Sequence, residues 1–141
     1  MEDCIFCKII AGEIPSTTVY EDGNFKAILD VSPAARGHVL IVAKGHYANV
    51  FELPDDVAAK VMPVAKKVAA AVKKAFDCDG INILQNNGEV AGQTQFHFHV
   101  HIIPRHKGDT IDIEWKHGEL SDDREAIADA IRKELLATTA K

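Results

Sequence analysis

The sequence predicts an α+β domain on an antiparallel sheet, and three observations lead there. Short β-prone runs follow one another across turn signals, a single long stretch carries helical periodicity in the first two thirds of the chain, and strand and helix never alternate regularly. Thr17 to Glu21 and Phe25 to Asp30 are separated by Asp22-Gly23-Asn24, a strong turn signal, and read as a hairpin. His38-Val39-Leu40-Ile41-Val42 is a third strand, entered through the loop from Pro33 to Gly37. Pro54-Asp55-Asp56 opens a helix, its aspartates suited to the free N–H groups and positive dipole end of the first turn. Val57, Val61, Val64, Val68, Val72 and Phe76 recur every three or four residues, with lysines filling much of the remainder, so the helix is amphipathic; Pro63 should kink or divide it. Gly80 is expected to end this segment, and Ile81 to Gln85 forms a fourth strand. The run from His97 is the fifth. Ser121-Asp122-Asp123 can cap a last helix, to which Ile127, Ile131 and Leu135 give one apolar side.

The 141 residues suffice for one domain, 1–141, and are too few for two. No apolar run is long enough to cross a bilayer, and Met1-Glu2-Asp3-Cys4 is not a basic export signal, so a soluble cytoplasmic protein is expected. A formal charge of −5 with 6% aromatics and no basic stripe argues against a nucleic acid polymer as partner. Three cysteines, Cys4, Cys7 and Cys78, are an odd number without an export signal and do not suggest a disulfide framework. Cys78 reads as an inert thiol, at the surface or partly buried.

His97-Phe98-His99-Val100-His101 is the most informative segment. On a strand, successive side chains face opposite sides, which puts three imidazoles in a row along roughly 13 Å on one face and Phe98, Val100 and Ile102 in a core on the other. Imidazole can be nucleophile, proton donor or metal ligand near neutral pH, whereas a merely solvated face would carry Thr, Lys and Glu. Cys4-x-x-Cys7 supplies at most two of the four ligands a structural zinc needs; alone it is equally a pair of incidental thiols. Asp30 alone could be a turn-former before Ser32-Pro33, and Asn86 in Asn86-Asn87-Gly88 could be part of a turn.

The pattern His-φ-His-φ-His-φ-φ, complete to Ile102 and Ile103, resembles the signature of the histidine-triad superfamily of nucleotidyl hydrolases and transferases. Ile5-Phe6-Cys7-Lys8-Ile9-Ile10, Leu29-Asp30-Val31-Ser32-Pro33, Gly37-His38, Asn86-Asn87-Gly88 and Gly92-Gln93-Thr94 resemble its Hint-type branch, in order, so the likeness runs from Cys4 to Arg105. The remaining segment, 106–141, is where such proteins diverge. The resemblance implies a HIT-like fold: a five-stranded antiparallel sheet, a long central helix and a C-terminal helix. It implies that His99 attacks the α-phosphorus of a purine nucleotide derivative, a phosphoramidate or a dinucleoside polyphosphate, and forms a nucleotidyl-histidine that water hydrolyses. His101 would hydrogen-bond phosphate oxygen and assist the leaving group, with Gln93 and Thr94 contacting phosphate and leaving group. His38 could also take part in catalysis. Asp30 would hold the ribose hydroxyls, Asn86 would lie near ribose and phosphate, and Phe6, Ile9 and Ile28 would line the purine slot; taken singly, these three are also plain core residues. His46 and His97 match the ligands that would complete a structural zinc site with Cys4 and Cys7, which leaves no open position for a metal-bound water. No organic cofactor is implied. A homodimer paired through the long helix is implied, and Ala58, Met62, Ala65, Ala69 and Ala71 give that helix a second apolar side. The C-terminal segment would then approach the partner's site; Trp115 is either part of that approach or a buried anchor for the tail. A nucleotide-binding interaction module with negligible turnover would share the same pocket, and only turnover separates the two.

Overall fold

The computed structural model describes residues 3–139. The chain forms two compact units, Met1–Ile111 and Asp112–Lys141. The first holds a short helix α1 (Ile5–Ile10), strands β1 (Thr18–Glu21), β2 (Phe25–Leu29) and β3 (Val39–Ala43), the long helix α2 (Asp55–Phe76), and strands β4 (Gly80–Leu84) and β5 (His99–Arg105). The sheet order is β1-β2-β3-β5-β4, with every neighbouring pair antiparallel. The predicted class, α+β on a five-stranded antiparallel sheet with a long helix, is the observed one.

The hairpin turn is set by Asp22. Its Oδ1 accepts from the N–H groups of Asn24 and Phe25, both at 2.8 Å, and its Oδ2 accepts from the Tyr20 hydroxyl. β3 is buried on both faces and therefore reads as an unbroken apolar run. Its Ile41, with Phe25, Ala27, Val100 and Ile102, faces α2 and packs on Val57, Val64, Val68 and Val72. Its Leu40 and Val42 face the other way, toward Phe6, Ile9 and Ile28. Among the described residues, the six-residue α1 is the helix packed on that second face, and the candidate site residues collect beside it.

Several expectations are corrected. α1 carries the Cys-x-x-Cys segment as a helical turn, with Cys4 at its N-cap and the Cys7 N–H donating to Cys4 Sγ at 3.3 Å. Pro63 does not divide α2, which is one continuous element. That helix ends at Asp77, held in the left-handed region at φ 46°, while Gly80 already begins β4. Cys78 is buried. His97 precedes β5 instead of lying in it, although the facing of alternate residues persists: Phe98 joins the α2 core and His97 turns to the opposite side.

In the second unit, Asp112 to Leu120 have no regular structure and α3 (Arg124–Thr139) follows. The predicted start near Ser121 is seen, with the Arg124 N–H donating to the Ser121 carbonyl. The Ile127, Ile131 and Leu135 side of this helix is exposed, as is Trp115.

Gly37 has φ +94°, and a Cβ on it would stand 2.5 Å from the Phe76 ring. Gly37→Ala therefore combines a left-handed backbone with a ring clash and is expected to cost roughly 2 kcal/mol or more, read as a lower urea midpoint. A midpoint equal to wild type would contradict this close approach of the His38 loop to α2.

Candidate active site and metal centre

The antiparallel register builds the site. Leu40 and Val42 of β3 stand opposite His101 and His99 of β5, so these four side chains share one face, and α1 brings Phe6 against them. The Phe6 ring centroid lies 5.0 Å from that of His99 and 5.8 Å from that of His97. A cavity of about 510 Å3 opens here, lined among others by Phe6, Ile9, Ile28, Asp30, His99 and His101.

Hydrogen bonding determines which nitrogen of each ring carries the proton. His99 Nδ1 lies 2.7 Å from the His97 carbonyl, which can only accept; Nδ1 therefore holds the proton and Nε2 keeps a free lone pair. The Ala34 N–H can only donate, and it donates to His38 Nδ1 at 2.9 Å. His38 consequently carries its proton on Nε2, 3.0 Å from His101 Nδ1 and 3.5 Å from Asp30 Oδ2. Donating to His101 Nδ1 leaves the His101 proton on Nε2. Two adjacent rings on β5 thus have opposite tautomers, one offering a lone pair and the other an N–H. Asp30, His38 and His101 lie close enough to surround a cation, but a metal on His38 Nε2 would force the proton onto Nδ1, against the Ala34 N–H. This trio is a hydrogen-bond relay.

Burial holds the pKa of His99 and His38 below the ordinary histidine value, in each case against a favourable charge from Asp30. His101 is pushed down to about 4, by burial first and then by the neighbouring His99 and His38. These groups are neutral in the folded protein at pH 7, and below about pH 6.5 the unfolded chain takes up protons that the fold resists. Their contribution to stability is therefore full above about pH 6.5 and is lost as pH falls toward 4. Urea midpoints at neutral and mildly acid pH should decline in that order; a flat series would contradict the burial of neutral rings.

Asp30 serves two purposes. Its Oδ1 accepts from the Ser32 N–H at 2.8 Å, which is the turn-forming role, while Oδ2 faces His38 and the cavity. Thr94 lines the cavity as well. Gln93 does not, although it was expected to touch substrate. It is 3% exposed, its Oε1 accepts from the Gly88 N–H at 2.8 Å, and its Nε2 donates to the carbonyls of Ala48 and Gln95. A fully committed, buried amide holds the loop from which Thr94 and Gln95 project. Asn86 is likewise off the cavity wall, with its Nδ2 reaching the Gly92 carbonyl at 3.5 Å. Gln95 was missed from the sequence; as an exposed residue between Thr94 and Phe96, it carries no signal of its own.

The second cluster is the predicted ligand set. Cys4 Sγ is 3.2 Å from His97 Nδ1, Cys7 Sγ is 3.2 Å from His46 Nδ1 and 3.5 Å from His97 Nδ1, and the two Nδ1 atoms are 3.1 Å apart. All four donor atoms lie within 4.8 Å of one another. Ligands at ordinary zinc distances stand about 3.3–3.8 Å apart along the edges of a tetrahedron, so the set is nearly zinc-sized. His97 is fully buried, and its Nε2 lies 2.6 Å from the Ala43 carbonyl, which fixes the proton there and leaves Nδ1 with a lone pair aimed into the cluster. Burial, with the adjacent Cys4, raises the Cys7 thiol to about 11; a bound cation would supply the charge that favours its thiolate. Two thiols and two imidazoles, with no fifth group among the described residues, suit a closed, structural zinc. Occupied, it would tie α1 to the chain entering β5. His97 belongs to both clusters, through its ring on one side and its carbonyl on His99 on the other.

A family model described as HIT domain matches residues 11–108. The chain is 45% identical to Protein hit of Bacillus subtilis over 141 residues, covering 97% of both proteins. It is 45% identical over 109 residues to adenylylsulfatase HINT3 of Arabidopsis thaliana, covering 77% of this chain and 55% of that protein. It is 46% identical over 102 residues to adenosine 5'-monophosphoramidase HNT1 of Saccharomyces cerevisiae, covering 72% and 62%. Among solved structures, a protein of Streptococcus mutans UA159 superposes with a TM-score of 0.91 at 46% identity, covering 96% of this chain and 87% of that one. A zinc-bound histidine triad family protein of Mycobacterium smegmatis gives 0.75 at 36% identity, covering 83% and 85%.

Proposed function

Because this chain belongs to the HIT domain family, we propose that it is a nucleotide hydrolase cleaving nucleoside phosphoramidates at the α-phosphorus through a nucleotidyl-histidine on His99. The observation that carries the reading is the pair of opposite tautomers: a free lone pair on His99 Nε2 beside an N–H on His101 Nε2. Phe6, Ile9 and Ile28 supply an apolar slot for the base, and Asp30 Oδ2 an acceptor for ribose hydroxyls. His99 Nε2 attacks phosphorus, and the bond from phosphorus to the leaving nitrogen breaks. That nitrogen takes a proton through His101, which draws it from water once the phosphate anion sits beside the ring and raises its proton affinity. Water then displaces His99 from phosphorus, releasing the nucleoside monophosphate and restoring the free ring. Thr94 and the His101 N–H stabilise charge on the phosphate oxygens. Gln93 acts by positioning Thr94.

Charge favours an amine over a second nucleotide as leaving group. Among the described residues, no Lys or Arg lines the cavity, while Asp30 does, so nothing there offsets the further phosphates of a dinucleoside polyphosphate. Adenosine phosphoramidate and diadenosine tetraphosphate should be assayed in parallel for release of the monophosphate. The phosphoramidate should have the higher kcat/KM. Binding of AMP with turnover of neither compound would contradict an enzyme.

A homodimer accords with the exposed Ala58 and Met62 of α2 and with the position of β4, a neighbour of that helix, at the edge of the sheet. Light scattering at micromolar concentration should give twice the chain mass. A monomer would refute it.

A further inference from the structure

A second cavity, of about 330 Å3, adjoins the first and shares Thr94 and Gln95 with it. Its other lining residues are Asp3, Cys4, His46 and Phe96, so it lies on the outer side of the cysteine–histidine cluster. Cys7 and the fully buried His97 do not line it. Its volume exceeds what a single ion needs and suits a short organic chain.

Two of its side chains lack work in the fold. Phe96 is 51% exposed, and its ring makes no contact with another aromatic ring among the described residues. The Asp3 carboxylate makes no hydrogen bond or ion pair among them either. Both open onto the same hollow. Among the described residues no Lys or Arg lines it, so the wall carries one negative side chain and one half-exposed aromatic ring. An aromatic face and a carboxylate each attract a cation and disfavour an anion. Thr94, placed between the two hollows, puts this one where a group leaving the α-phosphorus can extend.

On the phosphoramidase reading above, we propose that this second cavity is the leaving-group subsite and that it selects amines bearing a second positive charge. The attached nitrogen stays beside His101 and departs as the free amine, while the distal cation sits against Phe96 and Asp3. The subsite adds no step to the reaction. It sets which amine the enzyme releases fastest.

The test is an isosteric series of AMP phosphoramidates made from putrescine, butylamine and γ-aminobutyrate, with the unsubstituted phosphoramidate as reference. Their distal groups are cationic, neutral and anionic on chains of similar length. For the whole wild-type protein, kcat/KM should be about fivefold higher for the putrescine compound than for the butylamine one, and about fivefold lower for the γ-aminobutyrate compound. Asp3→Asn should bring both ratios toward one. Phe96→Ala should lower all three compounds relative to the unsubstituted one. Equal kcat/KM across the series in wild type, or ratios unaltered by Asp3→Asn, would overturn the subsite while leaving the phosphoramidase reading intact. No turnover of even the unsubstituted compound would overturn that reading and the subsite with it.

Discussion

His99→Ala is expected to lower kcat for adenosine phosphoramidate by about 10,000-fold or more, with AMP affinity kept within about tenfold. The substitution removes the attacking lone pair while sparing the base slot of Phe6, Ile9 and Ile28 and the Asp30 carboxylate, so the loss falls on the chemical step and not on ground-state binding. The readout is therefore kcat against AMP affinity measured by calorimetry. His101→Ala should be milder, since water can replace a proton donor more readily than a nucleophile. A His99→Ala protein turning over near the wild-type rate would rule out attack by this ring.

Removal of metal should have the largest effect on the fold. Purified protein is expected to carry about one zinc per chain on Cys4, Cys7, His46 and His97, and slow chelation should lower the melting temperature by more than about 10 °C, because a closed site contributes its binding energy to folding. Alkylation of Cys4 and Cys7 should accelerate in step with zinc release, a readout independent of turnover. His97→Ala should fail in the same way, by loss of metal and stability, and so differ from His99→Ala. Freshly prepared protein without zinc, with both thiols freely alkylated, would refute the site.

What was legible in the sequence follows from the range of the forces involved. Phe98, Val100 and Ile102 entered the α2 core, and His99 and His101 the opposite face, because side-chain alternation on a strand is local and needs no partner to be known. The valines of α2 were legible for the same reason at a different period. α1 was not, since six residues are too few to show periodicity and the helix is held by its Cys4 cap and by sheet residues far along the chain. The buried anchoring of Gln93 was not legible, because it depends on Ala48, forty-five positions earlier. The relay from Ala34 through His38 to His101 was equally invisible, its two rings standing sixty-three residues apart, and it is this relay that gives His101 the tautomer opposite to that of His99. The four metal-ligand candidates came from family resemblance, since Cys4-x-x-Cys7 alone names half a site.

The central claim is that a nucleotidyl group passes through His99. Wild-type protein mixed with excess adenosine phosphoramidate, quenched within milliseconds in alkaline denaturant, which preserves the P–N bond of a nucleotidyl-histidine, and digested at alkaline pH for mass spectrometry, should yield the peptide spanning His97 to Arg105 with one adenylyl group added, localised to His99 by fragmentation and missing from His99→Ala. Rapid release of AMP with no adenylyl adduct on any histidine at any quench time, or an adduct that maps to His101, would contradict it.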